Sequence, residues 1–287
     1  MHLHLGRIAI LIGLSAAATL AQGQTPASCT FTYFDFGGGG GPEPSGINRW
    51  GNVVGNSGLG PFIRYRDGGI QSLPFGFVGK RNSKGAMVGE FSTQDNHTHG
   101  FIQNGSQRIV VDFPGATHTE LRGINMYGSA VGNASAPGAF SVAIEVKNGK
   151  TIVLPFGTNT TAGPQAISDT GLIVGNYEVP DPEIPDAVVD HGFVSIDGQF
   201  TDFVFPGAIS TTANDVNALG QIVGDFGGGT AGIGHYIYSN GKFFTVKLAG
   251  NGAGTITGIN GYGTITGAIF QNTEPSSRGF VGRCTLP

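Results

Sequence analysis

The chain has 287 residues with a formal net charge of −4; 12% of them are charged and 51 are glycine. A charged fraction well below the usual quarter, with a net negative charge, disfavours nucleic acid as a partner. Abundant glycine without a sustained helical period predicts many tight turns and few helices.

The first 21 residues form a predicted secretory signal peptide. Arg7 precedes an apolar run over residues 8–14, and small residues follow up to Ala21, as is typical of a cleaved leader. The run is shorter than the roughly 20 apolar residues of a transmembrane helix. We therefore expect residues 22–287 to form a single secreted domain (extracellular, periplasmic or at the cell surface) without a membrane anchor. The mature chain would carry 14 basic and 19 acidic residues, a net charge of −5.

A short motif recurs along the mature chain, in which Asn or Ser is followed by Gly three residues later and by a second Gly seven residues later. The motif begins at Asn48, Asn82, Asn125, Ser168, Asn217 and Asn260. The steps between copies are 34, 43, 43, 49 and 43 residues, so insertions fall outside the motif, which indicates a structural role. We interpret it as a tight turn between two strands, with the second Gly allowing either close backbone approach or a bulge.

Five of the repeats also contain a predicted β-hairpin. The turns are Asp67-Gly68, Asn104-Gly105, Asn148-Gly149, Asp197-Gly198 and Asn240-Gly241. Such dipeptides favour type I′ turns, in which both central residues have positive φ. In the fifth repeat the predicted strands are residues 212–216, 221–225, 235–239 and 242–247. Four strands in about 43 residues match one propeller blade, so the predicted fold is an all-β, six-bladed β-propeller of four-stranded antiparallel blades.

The sixth repeat is divided between the two ends of the chain. Residues 29–36 repeat the aromatic pattern of a final blade strand, and residues 256–284 supply the rest of that blade. This alignment places Cys29 and Cys284, the two cysteines of the chain, where the other repeats have their hairpin turn. We predict that they form a disulfide, which export would preserve, and that the N-terminal strand closes the ring by pairing with the C-terminal blade.

The repeats resemble the extracellular repeats of the HAF family, named for a His-Ala-Phe-like element in each repeat. The element is seen as His99-Gly100-Phe101, His191-Gly192-Phe193, His235-Tyr236-Ile237 and Arg278-Gly279-Phe280. The accompanying Ile-Asn-x-x-Gly-x-x-Val-Gly pattern is clear at Ile47–Gly55. The resemblance covers essentially the whole mature chain. It implies an exported or cell-surface repeat protein and brings no established reaction.

The loops between the second and third strands of the repeats differ most in length, and in a ring they leave the same face, which makes that face the candidate binding surface. Asp95 and His97 lie in a loop that the other repeats do not share. The longest loop, residues 178–190, contains Asp181, Glu183, Asp186 and Asp190. These carboxylates suit Ca²⁺, although their spacing is not that of a recognised calcium loop. The alternatives are a solvated acidic loop, a cation site and a site for a basic partner. We interpret the repeated histidines as structural, because they fall in separate blades.

No local catalytic signature is found: the sequence has no Gly-x-Ser-x-Gly and no His-Glu-x-x-His, and a disulfide would consume both thiols. We therefore favour a monomeric binding module, with carbohydrate or an envelope protein as its ligand. Propellers assemble sites from several blades, so a metal-dependent hydrolase or lactonase-like enzyme is the alternative. A structural surface component that self-associates is a third.

Overall fold

The computed structural model describes residues 25–36, 40–74, 76–139, 141–156, 161–249, 253–272 and 276–287. The predicted signal peptide lies outside the described residues. Strand follows strand throughout, and the one helical segment described is a 3-10 turn at Gly229–Ala231. None of the described residues form a helix long and apolar enough to cross a membrane. The all-β prediction is confirmed.

The strands follow the sequence repeats, with four strands in each repeat when the N-terminal strand β2 is counted with the last one. In the N-terminal half they are β1 (Thr25–Pro26), β2 (Ser28–Phe34), β3 (Glu43–Ile47), β4 (Val53–Asn56), β5 (Phe62–Arg64), β6 (Ile70–Ser72), β7 (Phe77–Arg81), β8 (Met87–Ser92), β9 (Thr98–Asn104), β10 (Gln107–Val111), β11 (His118–Ile124), β12 (Ala130–Ser135), β13 (Val142–Lys147) and β14 (Lys150–Val153). In the C-terminal half they are β15 (Ala162–Ile167), β16 (Ile173–Pro180), β17 (Val188–Ile196), β18 (Gln199–Phe203), β19 (Ser210–Val216), β20 (Ile222–Gly227), β21 (Gly234–Ser239), β22 (Lys242–Val246), β23 (Gly254–Ile259), β24 (Thr264–Phe270) and β25 (Ser277–Thr285). The strands of the fifth repeat, β19–β22, begin and end within two residues of their predicted bounds.

The described strands form five small, mainly antiparallel sheets in a propeller-like arrangement. The orders are β3-β4-β5-β6, β15-β16-β17-β18, β2-β25-β24-β23, β1-β22-β21-β20-β19, and an eight-stranded sheet that joins β7–β10 to β11–β14. The eight-stranded sheet is joined where β11 and β9 begin side by side, with His118 in parallel register with Thr98. The prediction of six separate four-stranded blades is therefore corrected. Three sheets match it, one gains β1 as an added edge strand, and one combines two repeats.

The first and last repeats meet through the two chain ends. Strand β2 lies antiparallel to β25, from Ser28 opposite Thr285 to Phe34 opposite Gly279. Cys29 is directly opposite Cys284, and the two form a disulfide across 255 residues of sequence. Both the disulfide and the closure of the ring by the N-terminal strand are confirmed.

The motif asparagines link neighbouring repeats around the axis. Oδ1 of Asn125 accepts hydrogen bonds from Tyr127 N and Ser129 N, both at 3.0 Å, and so holds the turn. Its Nδ2 donates to Ser168 O, the equivalent position in the next repeat, at 3.2 Å. The equivalent amide bonds run from Asn48 to Asn82 O, from Asn82 to Asn125 O, from Asn217 to Asn260 O and from Asn260 to Asn48 O. Because the last of these returns to the first repeat, the repeats form a closed ring.

The second motif glycine lies where the first two strands of a repeat approach each other most closely. A Cβ on Gly132 would overlap Glu120 O, and the register of β11 against β12 shifts at a bulge between Leu121 and Gly123. The same overlap with a backbone oxygen would arise at Gly55, Gly89, Gly175, Gly224 and Gly267. The interpretation of this glycine as a site of close backbone approach is confirmed.

The hairpin turns follow the prediction in part. Both central residues have positive φ at Asn148-Gly149, Asp197-Gly198 and Asn240-Gly241, as type I′ turns require. Asn104 instead pairs with Gln107, so the turn is Gly105-Ser106, with positive φ at Gly105 alone. The loop around Asp67 is longer than two residues, since β5 ends at Arg64 and β6 begins at Ile70.

The hydrophobic core lies between adjacent sheets. One cluster packs Val194 and Phe203 of β17 and β18 against Ile222 and Tyr236 of β20 and β21. A second packs side chains of the fifth repeat against β23–β25 and the disulfide. Burying the apolar side chains between the sheets leaves polar side chains to line the ring axis.

Candidate binding site at the ring axis

A cavity of about 590 Å³ opens at one end of the ring axis and is called the axial cavity below. The first strand of every repeat contributes to its wall, in β3, β7, β11, β15, β19 and β23. Phe270 ends β24, and Glu90 lies near the end of β8. The loops between the second and third strands therefore leave the ring at this end, which was the predicted candidate face.

Most of the residues that line the axial cavity are polar, and two exposed aromatic rings lie among them. Its charged residues are Glu43, Lys80, Glu90, Glu120, Arg122 and Asp225. Phe77 and Phe270 also line it, with 50% and 46% of their surface exposed. Exposed phenylalanines on a polar wall suit a ligand that has both apolar faces and hydrogen-bonding groups.

Three side chains converge at one side of this wall, and we call them the carboxylate–histidine cluster: Glu90 and Glu120, which line the cavity, and His118, which lies beside them but is not a lining residue. Glu90 lies on β8, and the other two lie two residues apart on β11, which places them on one face of the strand. One ligand atom of each lies within 4.8 Å of the others. Nε2 of His118 is 3.5 Å from Oε2 of Glu90, and Nη2 of Arg122 is 2.5 Å from Oε1 of Glu120.

The electrostatics of the cluster centre on Glu90. Burial raises the pKa of this carboxyl, as does the neighbouring charge of Glu120, while His118 and Arg122 lower it in part. Oε2 of Glu90 is buried and accepts no hydrogen bond from the described residues. A buried carboxylate oxygen without a donor is costly unless a proton, a cation or a ligand satisfies it.

Asp225, on another side of the axial cavity, is held by a complete set of partners. Oδ1 accepts from Ile256 N at 3.2 Å and lies 2.7 Å from Nδ1 of His235. Oδ2 accepts from Asn214 Nδ2 at 2.9 Å and from Thr255 Oγ1 at 2.6 Å. These bonds link β20 to the neighbouring strands. Because both carboxylate oxygens already have partners, we assign Asp225 a structural role in the cavity wall.

A buried ion pair lies deeper along the axis. Nζ of Lys80 is 3.3 Å from Oδ1 of Asp215 and also donates to Ser45 O and Thr257 O, at 2.9 and 2.7 Å. Burial lowers the pKa of Lys80 and raises that of Asp215. Lys80 also lines a second cavity of about 260 Å³ among the motif turns. The ion pair therefore separates the two cavities and ties repeats together across the axis.

Asp95 and His97 occupy the exposed turn between β8 and β9 and are not among the residues that line the axial cavity. Thr93 Oγ1 donates to Asp95 Oδ1 at 2.5 Å, and this bond, with a second from His97 N, lowers the pKa of Asp95. Nδ1 of His99 lies 2.8 Å from Oδ1 of Asp112. Asp95 and His97 thus belong to a local turn, and the binding of a cation by these two residues stays a prediction.

The predicted acidic loop is shorter than expected. Strands β16 and β17 extend outward as a hairpin, and Glu178 pairs with Asp190 across it. Only residues 181–187 separate the two strands. The prediction of a loop over the whole of residues 178–190 is corrected. The two strands continue to pair beyond Glu178, with Val179 opposite Val189.

The four predicted acids of this hairpin do not converge. Oδ1 of Asp181 accepts from the backbone N of Glu183 and Ile184, at 2.7 and 3.0 Å. Asp190 accepts instead from Asn176 Nδ2 at 3.0 Å, and Asp186 is a turn residue with a φ of 61°. Within the described ranges these acids form no group of three close ligand atoms. Calcium binding there stays a prediction without support from this geometry.

The repeated histidines each lie beside an aspartate. Nδ1 of His191 is 3.4 Å from Oδ1 of Asp202, and His99 and His235 have the partners given above. Arg278 replaces the histidine in the last repeat and lies 3.4 Å from Oδ2 of Asp35. These pairs fall in separate repeats, as their structural interpretation requires.

Sequence reasoning missed the carboxylate–histidine cluster. Glu90 and Glu120 belong to different repeats, and His118 lies outside the repeated histidine position. The one local signal was the His-x-Glu alternation at the start of β11, which a strand turns into one shared face.

No family model matches the chain, and no curated protein sequence matches it. Among solved structures the chain is similar to TolB from Acinetobacter baumannii, at 13% sequence identity and a TM-score of 0.49. The similarity covers 84% of this chain and 63% of the TolB chain, so this chain spans less than two thirds of that structure. A similarity this distant identifies neither a ligand nor an activity.

Proposed function

We propose that this protein is an exported binding module whose axial cavity takes a carbohydrate. The observation that carries the proposal is the pair of exposed rings, Phe77 and Phe270, on a wall otherwise rich in carboxylates, amides and hydroxyls. Sugar rings present apolar C–H faces that stack on aromatic rings, and hydroxyls that bond to carboxylates and amides.

The polar groups of the wall divide into those that hold the fold and those that face a ligand. Asn56 exchanges two hydrogen bonds with the backbone of Val78, and Asp225 has the four partners described above. Glu90 lies beside His118, Glu120 pairs with Arg122, and none of the side chains of Glu90, Glu120 and Arg122 hydrogen-bonds to a backbone group of the described chain. We assign these three the hydrogen bonds to a bound sugar.

Export rests on two features of the chain. The predicted leader directs secretion, and the disulfide between Cys29 and Cys284 is the type of bond that oxidising compartments preserve. Outside the cytoplasm such a module would meet glycans or envelope proteins. The cavity at the axis favours a glycan, because a protein partner would need a larger surface than one concave mouth.

A metal-dependent hydrolase is the second candidate, and the carboxylate–histidine cluster is the observation that favours it. Convergent carboxylates and an imidazole at one cavity are what such an enzyme needs to hold a metal and activate water. We prefer the binding module, because it needs only the side chains that line the axial cavity, whereas the hydrolase also needs a bound metal ion.

The test is a glycan array with the mature, disulfide-bonded protein in EDTA, followed by calorimetric titration of any glycan that binds. Removing one exposed ring should forfeit most of the apolar burial of a phenylalanine, about 1.5–3 kcal/mol. Phe77→Ala and Phe270→Ala should each therefore weaken binding by roughly tenfold or more.

The control variant is Tyr127→Ala, which removes an aromatic ring that is 72% exposed but does not line the axial cavity. It should bind like the wild type. Equal binding by all the variants, or capture of envelope proteins without any glycan, would contradict a carbohydrate site at the axis.

A further inference from the structure

The donor atoms of the carboxylate–histidine cluster match a borderline metal ion. Imidazole nitrogen is a common zinc ligand and a poor one for Ca²⁺ or Mg²⁺, and two carboxylates complete a three-ligand set of the kind found in open zinc sites. We propose that Glu90, His118 and Glu120 bind a zinc ion on the wall of the axial cavity.

The distances fit after small side-chain movements. Ligand atoms around a tetrahedral zinc ion lie about 3.4 Å apart, given metal–ligand bonds of about 2.0–2.2 Å. Nε2 of His118 and Oε2 of Glu90 are already 3.5 Å apart, and all three ligand atoms fall within 4.8 Å. His118 can move to close the set, since 38% of its side chain is exposed.

Two further observations point to a cation. The buried Oε2 of Glu90 accepts no hydrogen bond from the described residues, so it has an unfilled position for a ligand bond. The cluster also holds two carboxyl groups beside the one guanidinium of Arg122. A divalent ion would offset the repulsion between Glu90 and Glu120.

The fourth position of this zinc ion would face the cavity, because Glu90 and Glu120 both line it. Water would fill it in the free protein, as in open zinc sites. A hydroxyl group of a bound ligand could replace that water. This last step deepens the proposed function and rests on it, whereas zinc binding itself does not.

The test is calorimetric titration of the mature, EDTA-stripped protein with ZnCl₂, without any sugar. We expect one zinc ion per chain, and no comparable binding of Ca²⁺ or Mg²⁺. Glu90→Gln and His118→Asn should each weaken zinc binding at least tenfold. Cobalt-loaded wild type should show the visible absorption of a four-coordinate site, and Glu90→Gln should lack it.

His191→Asn is the matched control, because His191 also lies beside a carboxylate, Asp202, but outside the cluster. This variant should keep the wild-type zinc affinity. Thermal unfolding of each metal-free variant checks that it is folded. Unchanged zinc affinity in folded His118→Asn, absence of stoichiometric zinc binding, or tight binding of Ca²⁺ instead would overturn the assignment.

The two proposals fail separately. Glycan binding in EDTA with no zinc binding would refute the zinc site and leave the carbohydrate site standing. Stoichiometric zinc binding, with no glycan bound on the array either in EDTA or after zinc is restored, would refute the carbohydrate site and leave the zinc site standing.

Discussion

At the scale of single residues, the motif asparagine combines two tasks in one side chain. Its Oδ1 fixes the turn within its own repeat, and its Nδ2 reaches the next repeat. Ser168, at the same position of the fourth repeat, performs only the first of these two tasks. Its Oγ accepts from the backbone N of Thr170 and Leu172, as an asparagine would, but it has no amide to reach across.

Substitution of Asn125 should therefore cost stability in two steps. Asn125→Ala leaves buried backbone groups without partners and should lower the free energy of unfolding by about 2–3 kcal/mol. Asn125→Ser keeps an acceptor for the turn and loses only the bond to Ser168 O, so about 1 kcal/mol is expected. Ser168→Asn should add about 1 kcal/mol by supplying the missing amide. Urea unfolding measures all three, and equal losses for the two Asn125 variants would contradict the division of tasks.

The sequence predicts those features of the molecule that a repeated sequence position determines, and it does not predict those that depend on how separate repeats pack together. Cys29 and Cys284 were predictable because they occupy a repeated position, and alignment to that position makes them neighbours. Glu90 and Glu120 were not, because their proximity depends on how two repeats pack around an axis. The loop acids were visible in sequence, but their backbone partners, such as Glu183 N for Asp181, could not be read from composition.

At the scale of elements, each repeat begins with a strand pair that carries a bulge and a glycine. The bulge turns β11 against β12 between Leu121 and Gly123. Gly132 lies where Glu120 O comes too close for any Cβ. Strand β11 also carries His118 and Glu120 of the carboxylate–histidine cluster, so this contact helps to set the position of Glu120 on the cavity wall.

Gly132→Ala should consequently disturb both stability and the cavity. The new methyl group must push strand β11 away, and we expect a loss of about 3 kcal/mol, as for an overpacked core position. Gly261→Ala is the control, because a Cβ there meets nothing within 4 Å and its φ is not positive. The control should change the free energy of unfolding by less than about 0.5 kcal/mol. Similar losses in the two variants would contradict the role of the close contact.

Elements were predictable where local chemistry alone determines them. Asn240-Gly241 forms the expected turn because both residues accept positive φ. The hairpin at Asn104 differs because β9 and β10 pair one residue further on, with Asn104 opposite Gln107. The outward extension of β16 and β17 was missed because prolines and acids in the segment are typical of loops.

At the scale of the whole molecule, the ring is closed in two places by different means. On the axis, Asn260 Nδ2 donates to Asn48 O at 3.2 Å. At the outer edge, β2 pairs with β25, and the Phe31 and Phe280 rings pack at 5.3 Å beside the disulfide. The merger of two repeats into one sheet could not be predicted, since it depends on a single parallel contact at His118.

The disulfide should act mainly on the unfolded chain, because β2 and β25 already pair in the folded ring. A bond across 255 residues restricts the unfolded chain by about 5 kcal/mol in the loop-entropy description. The double variant Cys29→Ser/Cys284→Ser should therefore fold to the same ring but melt at a markedly lower temperature. Its denaturant m-value should be larger, because its unfolded chain is no longer cross-linked and exposes more surface. Reductant should bring the wild type to the variant's melting temperature and leave the variant unchanged. If reductant changes neither protein, the strand pairing and the axial bonds alone close the ring, and the disulfide contributes nothing to its stability.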